Sequence, residues 1–157
     1  MKLFEVREFI KTAIKDEETG LAFYTALAEV SENEQVSQKL KSIAQEEVGH
    51  KKRFQEMLEE IGDYHPGEHY EGEYENYVNA LFEEKKFPTP DEAEKKARTA
   101  ESTVEALDIA KTLEKDTILF LSEMKNFIPD DYTGYIDEII SEEQKHLLDL
   151  NKLEDSL

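Results

Sequence analysis

Four glutamates stand where apolar residues are expected, and they limit the folds open to this chain more than any other feature. In the segment EEVGHKKRF, Glu47 and His50 fall on a stripe with Leu40, Ile43, Phe54, Met57 and Ile61, in steps of three or four. Such a stripe is the buried face of an amphipathic helix. Three more segments repeat the pattern. Glu17 shares a stripe with Val6, Ile10, Ile14, Leu21, Tyr24 and Ala28, and Glu114 with Leu107, Ala110 and Leu121. Glu143 and His146 share one with Ile136, Ile139, Leu150 and Leu153. Glu17 to Glu47 is a step of 30 residues and Glu114 to Glu143 a step of 29. The chain reads as two copies of a helical hairpin, each with Glu on its first helix and Glu-x-x-His on its second.

The punctuation agrees with an all-α four-helix bundle built from two hairpins. The first hairpin spans about 3–61, with the short link SENEQ inside it and Gly62 as a C-terminal glycine. The second spans about 102–157, opening where Ser102 and Glu105 have capping-box spacing. Its first helix is expected to reach about Phe127 and its second to start near Tyr132, after Pro129. A connector, 62–101, is long enough to cross the bundle lengthwise. Its first part, GDYHPGEHYEGEYENY, reads as loop and YVNALFEEKKF as a short helix. Thr89, Pro90 and Glu92 then supply the cap, first-turn proline and capping acid of another helix. No strand pattern interrupts the helices, and 157 residues suit one domain.

Four converging carboxylates cannot be left alone in a core. Each unpaired buried charge costs several kcal/mol or is neutralised, and neighbours of like sign repel. Two divalent cations balance four glutamates, with two neutral imidazoles completing the set. Oxygen and nitrogen donors without sulfur suit iron or manganese, and zinc is possible; calcium and magnesium have no need of the histidines. Glu17, Glu47, His50, Glu114, Glu143 and His146 are the expected ligands.

Composition narrows the partners. A net charge of −19 opposes nucleic acid and anionic membranes and favours cations. With no cysteine there are no thiolate ligands, thiol catalysis or disulfides. No stretch approaches transmembrane length and the amino terminus lacks the apolar core of a signal peptide, so a cytoplasmic location is expected. Glu18 and Glu46 adjoin expected ligands but point about 100° away, toward the surface. His65, Glu68, His69 and Glu71 could form a metal-binding loop, but a solvated polar loop is the simpler reading. Phe82 and Phe87 are expected to be exposed and hint at a partner chain.

With these residues in place, the chain resembles the ferritin-like superfamily, nearest the rubrerythrin di-iron domain. The resemblance rests on AIKDEETGLAFYTALAE, AQEEVGHKKRFQEML, IAKTLEKDTILFLSEM and IISEEQKHLLDL, and covers the four helices but not the connector. It implies a four-helix bundle with a long crossover and two non-haem irons that react with dioxygen or peroxide. Glu17 and Glu114 would be terminal ligands, Glu47 and Glu143 would bridge, and His50 and His146 would each bind one metal. Tyr24 would hydrogen-bond a ligand on a neighbouring helix.

Three departures stand out. No cysteine-ligated rubredoxin site is present, so reductive turnover needs a separate electron-donor protein. Thr117 stands where rubrerythrins carry an extra glutamate, and Leu121 where they carry a second tyrosine. The resemblance implies an oxidoreductase that reduces peroxide or dioxygen, and a homodimer. The alternatives are oxidation and storage of ferrous iron, or a helical interaction module with a vestigial site.

Overall fold

The computed structural model describes residues 6–62, 76–77, 80 and 87–157. Most of the connector, with most of the expected short helix (77–87) and His65, Glu68, His69, Glu71 and Phe82, lies outside the described residues; Tyr77 and Ala80 are helical and Phe87 is not. Among those described are five helices: α1 (Val6–Val30), α2 (Glu34–Glu60), α3 (Pro90–Thr99), α4 (Thr103–Met124) and α5 (Asp130–Asp155).

Local chemistry sets the boundaries. The Asn33 side chain caps α2, accepting from the backbone N–H of Gln35 and Val36 at 3.0 and 3.2 Å. Past the other end, Gly62 takes φ 57°, a left-handed conformation that glycine adopts without a Cβ penalty. At α3 the full capping box forms: the Thr89 hydroxyl accepts from Glu92 N–H and the Glu92 carboxylate from Thr89 N–H. At α4 only half of it forms. Ser102 caps Glu105 N–H at 3.1 Å, but the Glu105 carboxylate takes the N–H of Glu101 rather than that of Ser102. Helix α4 stops at Met124, short of the expected Phe127, and turns through residues 125–128. Helix α5 starts at Asp130, ahead of the expected Tyr132, because Pro129 ends the turn and Asp130 and Asp131 suit a helix N-terminus.

Hydrogen bonds fix how the hairpins fold back. Arg7, at the start of α1, donates to Leu58 O (2.9 Å) and Gly62 O (3.2 Å) at the end of α2, while Ser37 donates to Ala28 O (2.8 Å) at the other end. Lys111 pairs with Glu154, and Lys125 with Asp137, across α4 and α5. Both hairpins are therefore antiparallel.

The core is divided. One apolar cluster joins the start of α1 (Val6, Phe9, Ile10), the end of α2 (Phe54, Met57), the end of α4 (Phe120, Met124) and the start of α5 (Ile136, Ile139). The other joins the opposite ends, through Leu27, Leu40, Leu107 and Leu150, and adds Ala93 and Ala97 of α3. Thus α2 ends at the first cluster and α4 begins at the second, so the connector traverses the bundle. The order along the chain is up, down, down, up. Of the α1 stripe, Ile14 and Leu21 are only half-buried, and Phe9, Ala13 and Phe23 take core places beside it. Phe87, expected to be exposed, is half-buried and packs edge-on against Phe120 with centroids 5.6 Å apart. Between the two apolar clusters lies a polar belt.

Candidate metal centre

The belt is made by the six stripe-breaking residues. Glu17 on α1, Glu47 and His50 on α2, Glu114 on α4, and Glu143 and His146 on α5 are all between 1% and 4% exposed. Their donor atoms form two groups, each with all its atoms within 4.8 Å of one another. Glu17, Glu47, His50 and Glu143 make one, and Glu47, Glu114, Glu143 and His146 the other. Glu47 and Glu143 belong to both. Glu143 reaches one histidine with each oxygen: Oε1 is 2.8 Å from His50 Nδ1 and Oε2 2.9 Å from His146 Nδ1. Glu47 lies opposite, with Oε1 3.3 Å from His146 Nδ1 and Oε2 3.9 Å from His50 Nδ1. Glu17 approaches only His50 (3.4 Å) and Glu114 only His146 (3.7 Å). The imidazole rings stack with centroids 5.8 Å apart. The two hairpins thus contribute equivalent halves.

Electrostatics marks the cluster as short of positive charge. Burial, reinforced by the charge of Glu143, pushes the carboxyls of Glu17, Glu47 and Glu114 well above the usual carboxylate range. Glu143 moves the other way: burial would raise it, but its contacts with His146 and His50 outweigh that and hold it low. Burial opposes a charge on His50, yet Glu143 overrides it and lifts the imidazole to about 9. His146 is raised by Glu114 and Glu143 in the same way against its burial.

The donor set fits a pair of metal ions. Both carboxylate oxygens of Glu17, Oε1 of Glu47, Oε1 of Glu143 and Nδ1 of His50 are buried and make no well-aligned hydrogen bond within the described protein, the last two meeting only as an ion pair at 2.8 Å. A fold does not ordinarily leave so many buried polar atoms to face only one another. Gly20 makes room for them: a Cβ there would sit 3.2 Å from Glu47 Oε2 and 3.3 Å from its Cδ.

Around the six are residues that hold them. Tyr24 donates its hydroxyl to Glu114 Oε1, the hydrogen bond to a neighbouring helix expected of it. The outer nitrogen of each histidine meets a carboxylate from the facing helix. His50 Nε2 lies 2.6 Å from Glu142 Oε2, and His146 Nε2 lies 3.1 Å from Glu46 Oε2. Sequence reasoning sent Glu46 to the surface and passed over Glu142. Both are only part-exposed (33% and 36%), because a position 100° off the stripe still borders the α2–α5 seam. The doubled acids of QEEVGH and SEEQKH carried the signal. Glu18 is turned outward as expected and pairs with Lys51 at 2.8 Å. Thr117 donates to Asp16 Oδ2 at 2.6 Å, and Asp16 is itself a buried acid that the stripe reading missed. Burial lifts Asp16 to about 7 against the opposing bond from Thr117, with Glu143 and Asp116 adding to the rise.

Comparison with known proteins bears on this arrangement. The rubrerythrin family model matches residues 8–154. A solved structure from Thermotoga maritima, described as a candidate ferritin-like diiron-carboxylate protein, aligns with a TM-score of 0.71 at 26% identity, covering 94% of this chain and 93% of that one. No curated protein matches the sequence. No described helix is long and apolar enough to cross a membrane.

Proposed function

We propose, from the premise that the chain belongs to the rubrerythrin family, that it is a non-haem di-iron oxidoreductase reducing peroxide or dioxygen. The observation that carries the reading is the sharing of Glu47 and Glu143 between two four-residue donor groups. Glu17 and His50 would hold one ion, Glu114 and His146 the other, and Glu47 and Glu143 both. Held there, a pair of iron ions would supply two electrons, one from each, for reduction of an oxygen–oxygen bond.

The protein's own part is orientation and exclusion. Tyr24 fixes Glu114 through its hydroxyl. Glu142 and Glu46 fix the outer nitrogens of His50 and His146, which presents both Nδ1 atoms to the interior. The apolar clusters on either side keep bulk water from the belt. These 157 residues contain no cysteine, so the reducing equivalents would reach the site from a donor outside them.

The test is reoxidation. Protein loaded with ferrous iron and freed of oxygen should be oxidised by about one equivalent of hydrogen peroxide per iron pair, followed optically. If neither peroxide nor dioxygen oxidises it, the reading fails. Thr117, in the place of the extra glutamate, favours a second reading in which ferrous iron is itself the substrate. In that case excess ferrous iron is oxidised over many turnovers and retained.

A further inference from the structure

Asp16 is a buried acid that the six-residue cluster does not use. It is 7% exposed, and the charges that bear on it, Glu143 and Asp116, are negative. Two divalent ions already balance four glutamates, so a fifth carboxylate is surplus to the inner site. It does not lie idle in an apolar wall. A cavity of about 10 Å3, room for one water-sized body, is lined by Asp16 and Thr117 together with Glu17, Glu47, Glu114 and Tyr24. No lysine, arginine or histidine lines it. Glu17, on the same wall, is 2% exposed and neither of its carboxylate oxygens is hydrogen-bonded. On the opposite side of the belt, the α2–α5 seam is occupied by the pairs His50–Glu142 and His146–Glu46, with Arg53 against Glu142 at 3.4 Å.

We infer that the α1–α4 seam is the inlet for divalent cations, with Asp16 as the carboxylate that holds an ion in passage to the inner glutamates. A divalent ion entering a core must shed water, and a fixed anion along the way offsets part of that loss. Thr117 engages one carboxylate oxygen, Oδ2, at 2.6 Å, which fixes the group and leaves its second oxygen for the ion. The inner glutamates Glu17, Glu47 and Glu114 line the same cavity as Asp16, so an ion held by Asp16 is already beside them. The inference rests on the dinuclear reading of the inner cluster.

Loading of metal-free protein with cobalt(II) at pH 8, followed by its visible absorption in a stopped-flow instrument, separates the two ideas. Wild type and D16N should reach the same final content, with D16N slower by about tenfold or more, as expected for loss of a steering charge in a cleft of one sign. T117V, which keeps the charge but frees it, should be slowed less. E18Q, which alters an outward-facing acid paired with Lys51, should load at the wild-type rate. A D16N protein that loads as fast as wild type overturns the inlet. So does one that binds less cobalt at saturation, because Asp16 would then hold a resident ion. Circular dichroism checks that D16N is folded; should it not be, T117V decides, and no slowing there overturns the inlet. Wild-type protein that takes up no cobalt overturns the dinuclear reading itself, and the inlet with it.

Discussion

At the residue scale, the belt depends on small side chains as much as on charged ones. Gly20 lies inside α1, where glycine costs about 1 kcal/mol relative to alanine. Its place is explained by the 3.2 Å between its absent Cβ and Glu47 Oε2. The variant G20A should therefore keep or gain thermal stability when metal-free, while binding metal more weakly because Glu47 is displaced. Unchanged metal affinity by calorimetric titration would show that Glu47 is not held by this contact. Removing the acid behind a histidine is the complementary case. E142A leaves His50 in the cluster but without its partner on Nε2, and affinity should fall about 10- to 100-fold. An unchanged Kd would mean that packing alone orients the ring. Glu17, Glu47, Glu114 and Glu143 were legible in the sequence because they break an apolar period. Asp16, Glu46 and Glu142 were not, because a stripe sorts positions into inside and outside, whereas an acid beside the stripe can fall on a seam between helices, buried as Asp16 is or part-exposed as Glu46 and Glu142 are.

At the element scale, α3 ties the connector to the bundle. It lays Ala93 and Ala97 against α1, and the Thr19 hydroxyl donates to Pro88 O at 2.7 Å just before it begins. Its capping box is the feature most open to a single change. T89A should cost about 1 kcal/mol, a few degrees in Tm for a chain of this size, with no change in metal content. A loss of metal on this substitution would mean that α3 shapes the belt rather than bracing it. The start of α3 was legible because Thr89, Pro90 and Glu92 each have a local physical reason to be there. The ends of α4 and the start of α5 were placed within a few residues, since turns such as 125–128 are settled by packing of Phe127 and Ile128 rather than by local preference.

At the scale of the whole molecule, the two hairpins meet across a belt that is costly without cations, and stability should record this through pH. Glu17, Glu47 and Glu114 bind protons more tightly in the folded chain than in the unfolded one. So do Asp16, at about 7 against an ordinary 3.8, and His50, at about 9 against 6.5. Across these windows the native state holds more protons, so raising the pH destabilises it. The His50 contribution is whole below its ordinary value and is lost as pH rises through about 9. Glu143, held low, acts oppositely but only in the acid range. Metal-free protein should therefore melt at progressively lower temperature between about pH 4 and pH 9. Bound divalent metal should cancel the decline, because the cations replace the protons. A Tm that rises with pH in the metal-free form would contradict this. The crossover topology was legible from connector length alone, since a short link could not have joined α2 and α4 at opposite ends.

The most direct measurement is the number of metal ions per chain after anaerobic loading with ferrous iron and removal of excess, by elemental analysis. The expected result is about two per chain, falling to about one or fewer when Glu143, shared by both donor groups, is replaced by alanine. One ion per chain in the wild type, or none, would contradict a site shared between the hairpins, and the buried glutamates would then need a different cation or none.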